Sequence, residues 1–248
     1  LLAICSIEGT EAVPGDFSVA FMHTPLTEDV YVELPPEVES DRAYVWKLKK
    51  ALNGLVKASQ LFQKFLLGIM TDRLGFVKSA AQPTLLWNKH SNVRCAVHVD
   101  DPLATGDMMT VKNFFTALEE WLTVRMCAAI GAIKPSVYLG CRYWRYGSTF
   151  VEAPMEHHMD GIVETAGLET GKPATTPSVK DRSKNADSSE YIGPDRHRIY
   201  RSVVGKVQFI VPRRPDLMYA NKELGWQLHA PRECDWTAMK RLVRYIAG

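Results

Sequence analysis

Asp100 and Asp101 carry the first chemical signal in this chain. They follow the apolar run Val93–Val97 through His98 and Val99, and Thr105-Gly106 marks the end of a return strand after them. Adjacent aspartates on a regular strand would face opposite ways. In the tight turn of a hairpin both can lean toward one point, where two like charges repel unless a cation neutralises them. Asp-Asp before a proline is also a common turn, and the doublet alone does not decide between the two. Asp16 adds weight, because it ends another β-like run and precedes Ala20-Phe21 by four and five residues. Hard divalent cations take oxygen ligands, and Mg²⁺ uses one or two carboxylates plus substrate phosphates. Three carboxylates from two neighbouring strands could hold two ions about 3.5–4 Å apart, the separation suited to in-line phosphoryl displacement.

Such a site needs elements to carry it. Leu1–Ile7 reads as a helix end, and Asp16–Phe21 as a strand turning into a helix. Tyr31–Leu34 is a short strand stopped by Pro35-Pro36, with Val45–Leu48 as another. Lys57–Leu74 is helical, since Leu61, Phe62, Phe65, Leu66, Ile69 and Met70 recur as adjacent pairs at four-residue steps and Gly75 stands at a cap position. Strands are expected over Thr84–Trp87 and Val93–Val97, then a helix over Thr110–Thr123. A hairpin of Tyr138–Trp144 and Thr149–Val151 closes on Tyr146-Gly147. The spacing predicts α+β organisation over 1–152 and a Thr/Ser/Pro/Lys-rich connection within 153–195. A helical subdomain over 196–248 completes it, with helices near 197–211, 216–228 and 233–246 and Asp216 as an N-cap.

Composition narrows the class. Hydrophobic residues make up 46% and charged residues 23%, which suits a globular core. No stretch approaches the roughly 18 apolar residues of a membrane span. Five scattered cysteines lack zinc spacing and point to reduced, mostly buried thiols in a cytosolic or nuclear setting. Net charge is only +2, but its distribution is uneven: −8 over residues 1–46, +7 over 47–89 and +5 over 189–248. An acidic segment beside two basic ones suits a metal site flanked by phosphate-holding surfaces, and equally a set of solvated faces.

The ordered motifs resemble copia-type retrotransposon reverse transcriptases. Asp16-Phe17-Ser18-Val19-Ala20-Phe21 is similar to the first catalytic motif of that family. Val45-Trp46-Lys47-Leu48-Lys49-Lys50-Ala51-Leu52-Asn53-Gly54-Leu55 is similar to a stretch whose core usually reads Lys-Leu-Lys-Lys-Ser-Leu-Tyr-Gly-Leu. His98-Val99-Asp100-Asp101 matches the Tyr-Val-Asp-Asp box except at its first residue. Tyr200–Gly205, Arg214–Leu217 and Ala238–Tyr245 resemble the C-terminal signature. The resemblance runs nearly end to end.

It implies an α+β polymerase right hand, a palm of antiparallel sheet with helices on one face followed by a helical thumb-like subdomain. Asp16, Asp100 and Asp101 would hold two Mg²⁺ ions (Mn²⁺ a possible substitute), with the backbone carbonyl of Phe17 as an extra ligand. Phe21, Asn53, Gly54 and His98 would line the dNTP site, Phe21 by stacking under the sugar. Leu139-Gly140 would form the primer grip. Arg201, Lys206, Lys240, Arg241 and Arg244 would contact nucleic-acid phosphates without reading sequence. The implied partners are an RNA or DNA template with its primer, dNTPs, and the RNase H and integrase regions of the same polyprotein. The implied setting is cytoplasmic, in a virus-like particle, or nuclear, with no membrane.

Departures from the pattern support an alternative, an inactive remnant that at most binds nucleic acid through basic surfaces. His98 replaces the usual Tyr, and Asn53 and Gln60 stand where Tyr and Arg are usual. Pro102 removes a ladder donor and pushes Asp101 toward extended geometry. The family's chain is expected to begin before Leu1 with a fingers segment and to continue past Gly248 into RNase H. A metal-dependent nuclease lacks its carboxylate set here. A serine hydrolase lacks Gly-x-Ser-x-Gly.

Overall fold

A computed structural model describes residues 1–35, 37–38, 44–179 and 189–248. The chain divides into two compact units, Leu1–Leu139 with Tyr143–Val151, and Gly140–Arg142 with Glu152–Gly248. Pro36 and residues 180–188 of the expected connection lie outside the described residues.

In the first unit the main sheet has the order β4-β5-β6-β7-β1-β8. Its strands are β1 (Glu11–Phe17), β4 (Val77–Lys78), β5 (Leu85–Trp87), β6 (Arg94–His98), β7 (Asp101–Gly106) and β8 (Val124–Met126). Every adjacent pair is antiparallel. Alternation sends Val13, Phe17, Cys95, Val97 and Ala104 to one face. There they share a core with Phe62 and Leu66 of α2 (Ala58–Gly68) and Phe115 and Leu118 of α3 (Met108–Glu119). Burying each such Phe or Leu contributes about 1.5–3 kcal/mol. Helix α1 spans Leu2–Glu8 and ends on Gly9 at φ 66°.

Several expectations shift. The strand expected over Tyr31–Leu34 lies earlier, as β2 (Pro25–Val32), and pairs with β3 (Trp46–Lys50). The α helix expected to Leu74 passes at Ile69 into a π turn, Ile69–Arg73, and ends before Gly75 at φ 68°. Helix α3 starts earlier than expected because the Asp107 carboxylate accepts the N–H groups of Met109 and Thr110. The single strand expected over Tyr138–Trp144 is two, β9 (Ser136–Tyr138) and β10 (Cys141–Tyr146), and β11 (Thr149–Pro154) follows. The break is backbone geometry: Leu139 (φ 47°) and Gly140 (φ 71°) are both left-handed.

The second unit is helical. Within the expected connection stands α4 (Glu156–Ala166), followed by α5 (Pro194–Ile210), α6 (Met218–Gly225) and α7 (Glu233–Ala247). Ile162, Tyr200, Val203, Val207, Leu217, Leu242 and Val243 form its core, and the buried Tyr200 hydroxyl donates to the Leu224 carbonyl at 2.8 Å. Among the described residues no helix is long and apolar enough to cross a membrane. All five cysteines are free, with Cys5, Cys95 and Cys141 buried.

Asp216 does not cap a helix. Its carboxylate receives the Arg214 guanidinium at 2.9–3.2 Å through Nε and Nη2. Those hydrogen bonds, ahead of an opposing burial effect, hold its pKa below the usual carboxylate range. A depressed carboxyl pKa gives stability that is present above the unfolded value and lost as pH falls through the folded one. Asp216→Asn should therefore cost about 0.2–1 kcal/mol at pH 7 and little at pH 2. Urea denaturation at both pH values checks this.

Candidate functional site

The β6–β7 hairpin pairs His98 with Asp101, leaving Val99 and Asp100 as its two-residue turn. Val99 takes φ 53°, an uncommon conformation for a β-branched residue. Only Asp100 is thus in the turn, while Asp101 opens β7, which corrects the expectation that both would share the turn. Asp100 is exposed, and Asp16 and Asp101 are half-buried.

The β1–β7 register then sets the carboxylates. Pairs run from Glu11↔Gly106 to Pro14↔Leu103. Continued by three residues, the same register puts Gly15 opposite Pro102, Asp16 opposite Asp101 and Phe17 opposite Asp100. It is indeed kept, because the Phe17 N–H donates to the Asp100 carbonyl at 2.9 Å. Hydrogen-bonded and non-hydrogen-bonded pairs alternate in an antiparallel ladder, so Asp16 and Asp101 form a non-hydrogen-bonded pair. Such pairs bring Cα atoms to roughly 4.5 Å with side chains on one face. That face is the one opposite the core shared with α2 and α3. At the Gly15–Pro102 rung, proline lacks the N–H that would complete the ladder.

The electrostatics agree with this placement. Burial first, then the charges of Asp100 and Asp16, raise the Asp101 pKa above the usual carboxylate range, and only His98 opposes them. Arg125 of β8 stands opposite Asp16 of β1 but forms no ion pair with it among the described residues. The donor chemistry and the backbone placement fit a hard divalent cation. As the side chains stand, however, no group of three or more His, Cys, Asp or Glu among the described residues could hold one. Convergence on a shared ion requires side-chain rotation.

The other expected residues are more dispersed in character. Phe21 is half-buried and packs edge-on against Phe62, with ring centroids 6.1 Å apart. Asn53 and Gly54 form an exposed turn in which Gly54 takes φ 97° with no neighbour among the described residues where a Cβ would stand. His98 is exposed beside Asp101. In the helical unit, Lys206 Nζ donates to the Gly161 carbonyl and to Thr165 Oγ1. Arg241 donates to the backbone and hydroxyl of Thr176. Arg244 packs its stem near Gly171, with a buried Nε that has no partner among the described residues. Arg201 is exposed and Lys240 half-buried, and neither has a salt bridge among the described residues.

Two participants went unread in the sequence. Tyr138 Oη donates to the Asp101 carbonyl at 3.2 Å. Burial, with smaller contributions from Cys95 and Asp101, pushes its pKa upward, so the phenol keeps its proton. Gly15 is the other: a Cβ there would lie 2.5 Å from Phe115 Cε1 and 3.0 Å from Pro102 Cγ. A glycine one residue before a candidate ligand was the available signal for it, whereas nothing local announces Tyr138.

Comparison with known proteins places this arrangement in context. The family described as "Reverse transcriptase (RNA-dependent DNA polymerase)" matches residues 1–180. The chain is 32% identical over 238 residues to the retrovirus-related Pol polyprotein from transposon RE2 of Arabidopsis thaliana, covering 94% of this chain and 16% of that protein. The polyprotein from transposon RE1 of the same plant gives 32% over 245 residues, with the same coverage. That from transposon TNT 1-94 of Nicotiana tabacum gives 25% over 261 residues, covering all of this chain and 19% of the relative. The chain therefore spans less than a fifth of these polyproteins.

Proposed function

Since the chain belongs to the reverse transcriptase (RNA-dependent DNA polymerase) family, as a copia-type region of a retrotransposon Pol polyprotein, we propose that it carries the nucleotidyl-transfer site and that Asp16, Asp100 and Asp101 are its catalytic carboxylates. The observation that carries this reading is the kept β1–β7 register, which sets Asp16 opposite Asp101 next to the Asp100 turn. Two Mg²⁺ ions, or Mn²⁺ in their place, held by these carboxylates and the Phe17 carbonyl would activate the primer 3′-hydroxyl and neutralise the triphosphate.

The protein's own part is positioning. The sheet fixes the carboxylate backbones, and the core under β1 and β7 keeps them there. Phe21, Asn53, Gly54 and His98 would border the dNTP, and Leu139-Gly140 would hold the primer end. In this reading the first unit is a palm, the second a thumb-like subdomain, and the template is RNA or DNA. Neighbouring RNase H and integrase regions, and a virus-like particle or nuclear setting, belong to the same proposal.

Primer extension with Mg²⁺ or Mn²⁺ tests it, using the 248-residue chain alone and joined to the polyprotein sequence that flanks the matching region in the RE2 relative. Templated extension by the joined protein is expected. Salt-sensitive primer–template binding with no extension under either metal would favour the remnant reading, which Pro102 and the unconverged side chains support. In both readings Arg201 and Lys240, which form no salt bridge among the described residues, would contact phosphates. Arg201→Ala and Lys240→Ala should each lower the slope of log affinity against log salt by about 1, uniformly across sequences. Fluorescence anisotropy from 50 to 200 mM salt measures the slope.

A further inference from the structure

The hydroxyl of Tyr138 reaches the backbone of the carboxylate strand from a distant part of the sequence. The two bonded residues are 37 positions apart, and the bond is 3.2 Å long. The accepting carbonyl belongs to Asp101, which is simultaneously the β7 member of the last hairpin pair, His98↔Asp101. A carbonyl has two lone pairs, so a second donor adds to the ladder without replacing it. That addition matters here because the next residue is Pro102, which gives the ladder no N–H toward β1. The hairpin tip is therefore short of one β1 bond and receives one from Tyr138.

On its other side, Tyr138 is followed at once by Leu139 and Gly140, the left-handed pair that turns the chain from β9 into β10. Its ring is half-buried and meets the Tyr143 ring at 6.3 Å with a 59° tilt, so the phenol is held by packing and not by its hydroxyl alone. A ring fixed by packing delivers its O–H at a set position, which is the requirement for orienting another group.

We propose that Tyr138 is a positioning residue: its hydroxyl fixes the backbone of Asp101, linking the Leu139-Gly140 turn to the carboxylate strand. The inference rests on the polymerase reading for its catalytic consequence. Its structural part stands independently, because the Tyr138–Asp101 hydrogen bond is present whatever the site catalyses.

Tyr138→Phe keeps the ring and its packing and deletes the donor. In the 248-residue chain, amide hydrogen exchange at the β6–β7 hairpin tip should quicken by about fivefold, the factor expected for one ordinary hydrogen bond. Exchange in the α5–α7 core should not change. In the joined polymerase kcat should fall by about the same factor, with KM for dNTP and primer–template affinity unchanged. A purely structural role would lower the amount of active protein without that split, which active-site titration separates. Hairpin exchange identical to the parent overturns the proposal, as does faster exchange with unaltered kcat per active site. Asp101→Asn run alongside isolates the other failure: if that variant extends primers at the parent rate, Asp101 is not a catalytic carboxylate, while the exchange result on Tyr138 continues to stand.

Discussion

Replacing Asp101 by Asn is expected to lower primer extension by on the order of 10²–10³-fold while raising the thermal midpoint of the protein. The two effects have one cause. Asn keeps the size and the backbone of Asp and removes the charge. Asp101 is half-buried beside Asp16 and Asp100, and its pKa is raised, first by burial and then by those neighbours. A carboxyl with a raised folded pKa weakens the fold above that pKa, and the penalty lifts as pH falls through it. Deleting the charge should therefore stabilise the fold at pH 7 and make little difference at pH 3. A site whose charges repel in the resting protein pays for function with stability. On the proposed reading the loss of rate follows because the remaining pair would hold less tightly the cations that would neutralise the substrate's developing charge. The magnitude is that of removing one preorganised electrostatic contact. Asp100→Asn should act likewise on rate. Its effect on the midpoint should be smaller, because Asp100 is exposed. Single-turnover extension and thermal melts at pH 7 and 3 measure both properties. A variant that loses rate without gaining stability at pH 7 would mean that the three charges do not oppose one another.

Gly15→Ala should destabilise the protein by about 1–3 kcal/mol or more, a large effect for one methyl group. The added Cβ would stand 2.5 Å from Phe115 Cε1, 2.9 Å from its Cζ and 3.0 Å from Pro102 Cγ. Phe115 is 2% exposed within a filled core, so its ring has little room to yield. Strand β1 must then move away from α3, and Asp16 moves with it. Extension should fall along with stability. Phe115→Leu alone also destabilises by leaving a gap, but it opens the space that the methyl needs. The double variant should accordingly be more stable than the sum of the two single changes, by about 0.5–3 kcal/mol. Additive urea midpoints would show that the contact is relieved in some other way.

Much of this arrangement could be read from residue order. The paired apolar positions of α2, the strand before His98 and the return through Leu103 and Ala104 are local patterns, and local patterns determine local structure. Asp16 and the doublet could likewise be joined from residue types alone, as three carboxylates suited to hard cations. Register is different. It depends on which strand lies beside which, and β8, at three residues, is too short to show a period. Helix α4 was hidden because Glu156-His157-His158 and Gly161 dilute its apolar face. The division of Tyr138–Trp144 depended on Leu139 adopting a left-handed φ that no residue preference announces. The basic set of the helical unit was legible only as charge. Lys206 and Arg241 are drawn into contacts with Gly161, Thr165 and Thr176, all of them distant in sequence.

The proposed chemistry requires that Asp16 and Asp101, facing one another across β1 and β7, share divalent cations with Asp100. Crystals of the joined polymerase grown with Mn²⁺, primer–template and a non-hydrolysable dNTP, with data collected near the manganese absorption edge, address it directly. Two anomalous peaks about 3.5–4 Å apart, bridged by carboxylate oxygens of Asp16 and Asp101, are the expected result. Nucleotide bound with no manganese between β1 and the hairpin, and Asp101 turned away from Asp16, would contradict it.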